Sequence, residues 1–383
     1  MIRLSHALAA AVVAALLSCS NQSPSAPEFA TSADELATRT PTITPQNSHT
    51  ASGLIGISPV NARVAWASGR FGTFVVTTDG GTTWKAGQVR GAETLQFRDV
   101  QGISATSAYL LSVPGASPSR IYKTNDAGAT WTLQFEDPNP NGFYDAFAFW
   151  TPKHALAFSD SVPNGSGGFV FPVLRTTDGR DWVNIGANLP AAQPGESGFA
   201  SSGTCVAVQG GKRAWIGTGG VATPRVLATR DGGDTWAAYN SALGGGAAAG
   251  IFSVAFRDAF HGVTGGGDLI NPPAHNVARS SDGGKTWHVT ANAPITADGT
   301  VGTIFGLAYA RDRSDDDESD QSSPRAKLVV TGPTGAAWSA DEGDDWQPLE
   351  GVAGFWAVAF ADEGTGWLVG VNGTISKITF SRH

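Results

Sequence analysis

The sequence predicts an all-β fold, a seven-bladed β-propeller, and three observations support this. One turn motif occurs six times, and its Asp residues recur at intervals of 47 to 59 residues, a period typical of propeller repeats. Glycine accounts for 49 of the 383 residues and tryptophan for 12, which favours short strands, tight turns and aromatic packing. After the sixth motif, residues 354–380 repeat the strands that precede a motif but lack the motif itself. The chain therefore contains seven sets of inner strands but only six outer strands that follow a motif.

The motif is clearest at residues 280–289, SSDGGKTWHV. The Asp carboxylate is expected to accept hydrogen bonds from backbone N–H groups two residues further on, and the two glycines can take positive φ. Together they predict a hairpin turn whose Trp side chain packs against a neighbouring unit. The Asp and Trp residues of the six copies are Asp79 and Trp84, Asp126 and Trp131, Asp178 and Trp182, Asp231 and Trp236, Asp282 and Trp287, and Asp341 and Trp346. Six Asp residues in one repeated role predict structural turns, because a catalytic carboxylate is needed once or twice.

These turns resemble the BNR or Asp-box repeat of sialidase-like β-propellers. The fuller units VAWASGRFGTFVVTTDGGTTW and GWLVGVNGTISKITF also resemble the propeller repeat of photosystem II stability/assembly factors and their uncharacterised bacterial relatives. The resemblance covers residues 50–380. It implies a propeller fold and, from the assembly factors, a binding or scaffold role, although a shared fold does not fix a function.

The N-terminal region differs from the repeats. Arg3 begins a short basic region, and residues 7–17 form an apolar run that is too short to span a bilayer. It leads into LLSC, which resembles a bacterial lipobox with Cys19 as the acylated residue. The sequence thus predicts a lipoprotein signal peptide over residues 1–18, a flexible tether over 19–40 and the propeller over 41–383. An ordinary secretory signal cleaved nearby is the alternative.

The expected location is the cell envelope, with the lipid as the only membrane anchor. If the cell is Gram-negative, Ser20 after the lipidated cysteine predicts the periplasmic side of the outer membrane. With Cys19 lipidated, Cys205 has no disulfide partner, and its strand-like surroundings predict a small buried apolar residue. The tether leads into PTITPQ, residues 41–46, which is the candidate for the missing outer strand of the seventh blade.

Composition excludes some classes of partner. The net charge of −8 and a total of only 7 Lys argue against a nucleic-acid-binding face. The acidic run at residues 311–323, RDRSDDDESDQSS, lacks the spacing and the glycine of a calcium loop and is expected to be a disordered acidic loop. No cofactor and no metal site are expected, and the protein is expected to be a monomer.

Candidate functional residues lie on the face opposite the repeated turns. The turns join strands three and four of each blade. The opposite face, here called the rim, therefore carries the loops that join strands two and three and the links between blades. These are the longer connections, where binding sites are usually placed. The candidate rim residues are Tyr144, Asp145, Asp160, Glu196, Arg225, Ser253 and Asp268. One hypothesis is an acidic pocket for a cation, an amine or a sugar; the other is that these side chains cap loops and close turns.

Two functions follow from these features. The first is an envelope lipoprotein whose rim is a binding or assembly scaffold for an extracytoplasmic protein or glycan. The second is a glycoside hydrolase or lyase that uses two rim carboxylates as acid and base. A true sialidase is not expected, because the Arg-Ile-Pro signature is absent and only Tyr144 of the five Tyr falls in a suitable rim loop. No catalytic residue is assigned.

Overall fold

Four-stranded antiparallel sheets arranged as the seven blades of a propeller make up the described part of the chain. The computed structural model describes residues 40–115, 117–296, 298–310 and 326–381. The expected signal peptide, Cys19, residues 19–39 of the tether and the acidic run 311–323 lie outside these residues. Within them, no helix is long and apolar enough to cross a membrane. The all-β, seven-bladed prediction is confirmed.

The strands of each blade follow one another from the central channel outwards. Inner strands are buried on both faces, as in Leu54–Pro59, because they pack against the blades on either side. The strands of blades 1 to 3 are Leu54–Pro59, Ala65–Gly69, Thr73–Thr77 and Lys85–Gln88; Gln96–Gly102, Ala108–Val113, Arg120–Thr124 and Thr132–Glu136; Tyr144–Thr151, His154–Ser159, Val173–Thr176 and Val183–Asn184. Blade 3 also carries a small rim hairpin, Val162–Pro163 with Phe169–Val170.

Blades 4 to 6 follow the same plan. Their strands are Val206–Gln209, Arg213–Gly217, Arg225–Thr229 and Ala237–Asn240; Ala249–Phe256, Gly262–Asp268, Val277–Ser280 and His288–Val289; Gly306–Ala310, Lys327–Gly332, Gly335–Ser339 and Gln347–Pro348. Two 3-10 turns, Gly186–Asn188 and Val371–Gly373, lie in connections. The core consists of apolar clusters between neighbouring blades, and Trp66, Trp215, Trp338 and Trp367 are among its largest fully buried side chains.

Blade 7 joins the two ends of the propeller. Its inner three strands are Phe355–Phe360, Thr365–Gly370 and Ile375–Thr379, and its outer strand is the N-terminal Thr42–Gln46. Thr42 pairs with Thr379 and Gln46 with Ile375 in an antiparallel register. The expected closure of the ring by residues 41–46 is therefore confirmed.

The repeated turn, here called the Asp turn, has two anchors. In the turn of blade 5, the Asp282 carboxylate accepts hydrogen bonds from the backbone N–H groups of Lys285 (2.9 Å) and Thr286 (3.0 Å). These donors lie three and four residues on, not two as expected from the sequence. The Ser280 hydroxyl is the second anchor, because it accepts a bond from the Gly284 N–H (2.9 Å) and donates to Asp282 (2.9 Å).

The Trp of each Asp turn packs toward the preceding blade. Trp84 of blade 1 meets Trp367 of blade 7 edge-to-face at 6.4 Å. Trp131 of blade 2 meets Phe74 of blade 1 at 5.1 Å. The turns therefore act as staples between neighbouring blades, which leaves the opposite rim free for longer loops.

Candidate functional site

The inner strands of five blades carry a one-residue bulge at the same place, close to the rim. Each register shift leaves one residue of the inner strand without a partner in the second strand. These residues are Ile55, Arg98, Asp145, Phe252 and Trp356. Bulges re-aim side chains next to functional sites. Here they place side chains of five blades around the rim end of the central channel, which we call the mouth.

Aromatic and cationic side chains follow one another around the mouth. Phe305, directly before the inner strand of blade 6, lies 5.7 Å from Phe252 and 5.6 Å from Trp356 between ring centroids. The guanidinium carbons of Arg98 and Arg70 lie 5.6 and 5.8 Å from the Trp356 ring centroid, within cation–π range. Trp356 and Arg98 are half-buried and Arg70 is exposed, so this part of the mouth meets solvent.

A loop from the link between blades 3 and 4 covers the rim end of the channel. Residues 197–204, here called the plug loop, reach blades 2, 5 and 6 as well as blade 3. Phe199 of the loop stacks on Phe252 at 3.8 Å. The hydrogen bonds that hold it to blades 2, 6 and 5 are Arg98 Nη1 to the Ala200 carbonyl (2.8 Å), Ser202 Oγ to the Phe305 carbonyl (2.6 Å), and the hydroxyls of Thr204 and Ser253 to each other (2.6 Å).

Two of the predicted rim carboxyls, Asp145 and Asp160, meet under this loop. A Cβ at Gly198 of the loop would lie 2.6 Å from Asp145 Oδ2, and this oxygen is buried without a hydrogen-bond partner. Two charged carboxylates that interact in a buried site are unfavourable, so we assign one proton to the pair. Burial, and then the charge of Asp160, raise the pKa of Asp145 well above its usual range. Burial also raises the pKa of Asp160, to about 6. Asp160 accepts the Gly198 N–H (2.8 Å) and the Asp145 carboxyl packs on the same residue, so both carboxyls contact the plug loop.

Glu196 and Arg225 form a buried ion pair where the link enters the plug loop. Arg225 Nε donates to Glu196 Oε1 (2.8 Å), and Arg225 Nη2 bonds to Oε2. The Thr218 hydroxyl (2.7 Å) and the Gln193 N–H (2.9 Å) complete the partners of the carboxylate. Both predicted residues therefore fix the path of the link, and neither carboxylate oxygen of Glu196 is left for a ligand.

The other predicted residues have different surroundings. Tyr144 is buried, and burial raises the pKa of its hydroxyl. The Ser253 hydroxyl bonds to the plug loop as described above. Asp268 caps its own loop, accepting the N–H groups of Ile270 (2.7 Å) and Asn271 (3.2 Å). The structure thus brings Asp145, Asp160, Glu196 and Arg225 to the same link, whereas Asp268 bonds within a different loop.

A third buried carboxyl, Asp99, lies under the plug loop next to Arg98. It accepts the N–H groups of Val100 (2.7 Å) and Phe147 (2.8 Å), and burial raises its pKa well above the usual range. Gly203 of the plug loop has a φ of +74°, and a Cβ there would lie 2.4 Å from an Asp99 oxygen. Only glycine therefore lets the loop pass over this carboxyl.

The plug loop closes one end of the central channel. Below it, the channel forms a cavity of about 450 Å³ between the inner strands. Ser202, Gly203, Thr204 and Asp99 line its closed end, and turns such as Pro152 and Gly210 line the end at the Asp-turn face. Cys205, directly after the plug loop, is fully buried, as expected for a small apolar residue. In the described residues, no group of three or more His, Cys, Asp and Glu side chains could hold a metal ion.

Sequence reasoning missed Arg70, Arg98, Asp99, Phe305 and Trp356. A signal was present in the start of each inner strand, as in FRDV (residues 97–100), YDAF (144–147), IFSV (251–254) and FWAV (355–358). The second position of each is the bulge residue. An alignment of the seven repeats would have placed Arg98 and Trp356 beside Asp145, although it would not have revealed the bulge.

Comparison with known proteins supports the fold. No protein-family model and no curated protein matches the chain by sequence. YCF48 from Cyanidioschyzon merolae is similar in structure, with a TM-score of 0.59 and 16% identity over 88% of this chain and 98% of that chain. YCF48 bound to D1 peptide gives a TM-score of 0.58 and 16% identity over 89% and 97%. The WD40 β-propeller domain of Doa1 gives 0.56 and 9% over 90% and 98%. At these identities, the comparisons identify the fold of the chain as a β-propeller.

Proposed function

We propose that this protein is a cell-envelope lipoprotein whose propeller rim binds an extracytoplasmic protein and so serves as a binding or assembly scaffold. The observation that carries the proposal is a group of exposed and half-buried side chains on the rim, here called the rim patch: Arg70 and Arg98 at the Trp356 ring, and Phe71 directly after Arg70 in the chain. Phe71 is 59% exposed and has a φ of +58°. A bulky residue in the left-handed region is unusual, and this one presents an aromatic ring to solvent beside Arg70.

The chemistry of the rim patch favours a protein partner. Aromatic residues and Arg are enriched at protein–protein interfaces, and they dominate binding energy when they become buried. Exposed Leu269 and Ile270 add apolar surface elsewhere on the rim. The acidic pocket for a cation or an amine receives less support, because Asp160 and Glu196 bond to the protein itself and Asp145 is buried under the plug loop.

A similar propeller has a peptide ligand, since one structure of YCF48 is described as bound to D1 peptide. This supports a protein segment as the ligand class and says nothing about which protein. The enzymatic alternative, a glycoside hydrolase or lyase, needs two carboxyls that reach a substrate from either side of the scissile bond. Asp145 is 1% exposed and touches Asp160, so this pair lies beneath the rim surface.

Site-specific photo-crosslinking in the native host tests the proposal. A photoreactive residue replaces Phe71 or Ile270 on the rim, or Val183 on an outer strand as the control. Phe71 and Val183 are matched, being 59% and 62% exposed. We expect a discrete crosslinked protein from the Phe71 position that disappears when Arg70→Ala is added. Equal crosslinking from Val183, or none from the rim, would contradict a rim-bound protein partner.

A further inference from the structure

We propose that Asp145 and Asp160 form a proton-dependent latch, which holds the plug loop over the channel mouth while the pair shares a proton and releases the loop as the pair loses it. The inference concerns opening of the channel and does not depend on what the rim patch binds.

The latch is built from contacts between the pair and the loop backbone. Asp160 accepts the Gly198 N–H at 2.8 Å, and Asp145 Oδ2 is buried beside the same residue without a hydrogen-bond partner. A Cβ at Gly198 would lie 2.6 Å from an Asp145 oxygen, so the loop backbone packs directly on the carboxyl. These contacts exist only in the closed arrangement, because carboxyls and loop belong to different segments of the chain.

The charges around the pair do not neutralise it fully. Arg98 is the cation that acts on Asp145, and it also bonds to the Ala200 carbonyl and lies over Trp356. Asp99 under the loop and Cys205 directly after it add no positive charge. Arg225 is paired with Glu196. One cation therefore faces two carboxyls, and a second negative charge would be buried without a partner.

Protonation fixes the direction of the effect. Burial and the charge of Asp160 raise the pKa of Asp145, so Asp145 is the member that keeps its proton while the loop is closed. When the loop opens, water reaches both carboxyls, their pKa values return toward the ordinary range, and the shared proton is released. The closed state binds more protons than the open state, so opening becomes more favourable as the pH rises.

Opening would extend the channel to the rim. The cavity of about 450 Å³ ends at Ser202, Gly203 and Thr204, which are all part of the plug loop. Release of the loop would join this cavity to the mouth. It would also expose Cys205, which is fully buried directly after the loop.

The rate of Cys205 alkylation measures this opening. The full chain is treated with iodoacetamide at pH values from 7 upwards, and modification of the Cys205 peptide is followed by mass spectrometry. Each rate is divided by that of the same peptide in unfolded protein at the same pH, which removes the titration of the thiol itself. If opening releases one proton, we expect the protection of Cys205 against alkylation to fall by about tenfold per pH unit.

Asp145→Asn replaces the carboxyl by a carboxamide of the same shape, which still donates hydrogen bonds but does not titrate. The protection of Cys205 in this variant should therefore be nearly independent of pH over this range. Asp268→Asn is the matched control, since Asp268 bonds only within its own loop among the contacts described above, and it should behave as the wild type. Hydrogen exchange at residues 197–204 gives a second readout of opening. Wild-type protection that does not change with pH would overturn the proposal, even if the Asp145→Asn chain failed to fold. If the protection of Cys205 falls with pH as steeply in Asp145→Asn as in the wild type, the proposal is also overturned.

Discussion

Aspartate residues in this protein have opposite electrostatic environments on the two faces. In the Asp turns the carboxylates are held by N–H and hydroxyl donors. The backbone N–H of Thr83, followed by its hydroxyl, lowers the pKa of Asp79 to about 2. At the rim, burial raises the pKa of Asp160 to about 6. The same side chain therefore favours folding in its ionised form in the turns and in its protonated form under the plug loop.

The lowered pKa of Asp79 in its turn predicts that the protein loses stability in acid. A carboxylate whose pKa is depressed on folding contributes stability that is present above its unfolded value of 3.8 and is lost as the pH falls through the folded value of about 2. We expect carbon NMR titration to give a midpoint near 2 for Asp79. A midpoint at the ordinary value would show that the turn does not depend on the charge.

Loss of one turn carboxylate should cost stability. Asp282→Ala removes the acceptor for Lys285 and Thr286, and we expect it to lower the free energy of unfolding by about 1–2 kcal/mol. Ser281→Ala, at an exposed position of the same turn, is the control and should have little effect. Chemical denaturation of both variants measures the difference, and equal stabilities would contradict the role given to Asp282.

Residue roles could be predicted where the sequence repeats them. Six copies of one pattern identified the turn carboxylates as structural, because a repeated role can be compared within the chain. The contacts of Asp160 and Asp145 could not be predicted, since both carboxyls meet Gly198, about 40 or more residues away in the chain. Burial, which sets their pKa values, depends on the closed ring.

At the scale of the elements, the N-terminal strand closes the ring of blades. Thr42–Gln46 pairs with Ile375–Thr379, and Gln46 Oε1 accepts hydrogen bonds from the indoles of Trp84 (2.9 Å) and Trp367 (3.2 Å). One side chain therefore joins blades 1 and 7. This strand could be predicted because the seventh repeat lacks an outer strand, whereas the bulges that shape the mouth leave no such gap in the sequence pattern.

Removal of the strand should affect the whole domain. Deleting residues 36–48 takes away the outer strand of blade 7, and we expect a lower melting temperature for the entire propeller. Gln46→Leu is a milder change that leaves two indole N–H groups without their acceptor, and it should cost about 2 kcal/mol. Thr44→Ala, on the exposed side of the same strand, is the control. Calorimetry that shows no change on deletion would contradict closure by this strand.

At the scale of the whole molecule, the proposed lipid anchor places the propeller at a membrane surface. The proposal is supported by the lipobox-like residues 16–19. Cys19→Ser should leave the chain unacylated and shift it from the membrane fraction to the soluble fraction, as followed by fractionation and mass spectrometry. A wild-type mature N-terminus beyond Cys19 that carries no lipid would reject the anchor and leave the propeller assignment intact.

The fold as a whole could be predicted because the same pattern of strands recurs in the sequence from blade to blade. The candidate site could be predicted only in position. The rim was the expected face, but the sequence favoured its carboxylates, and the structure commits Asp145, Asp160 and Glu196 to the plug loop and its link. The accessible chemistry comes instead from Arg70 and Phe71 of blade 1 and from Trp356 of blade 7, whose ring centroid lies 5.8 Å from the Arg70 guanidinium carbon.

The central claim is that the Asp turns maintain the fold while the rim patch binds the partner. The most direct measurement compares two variants by melting temperature and by crosslinking from Phe71. Asp282→Ala should lower the melting temperature and retain the crosslink wherever the variant is folded. Arg70→Ala changes an exposed side chain, so it should leave the melting temperature unchanged and lose the crosslink. A crosslink that survives Arg70→Ala, or that is lost in folded Asp282→Ala, would contradict this division of roles between the two faces.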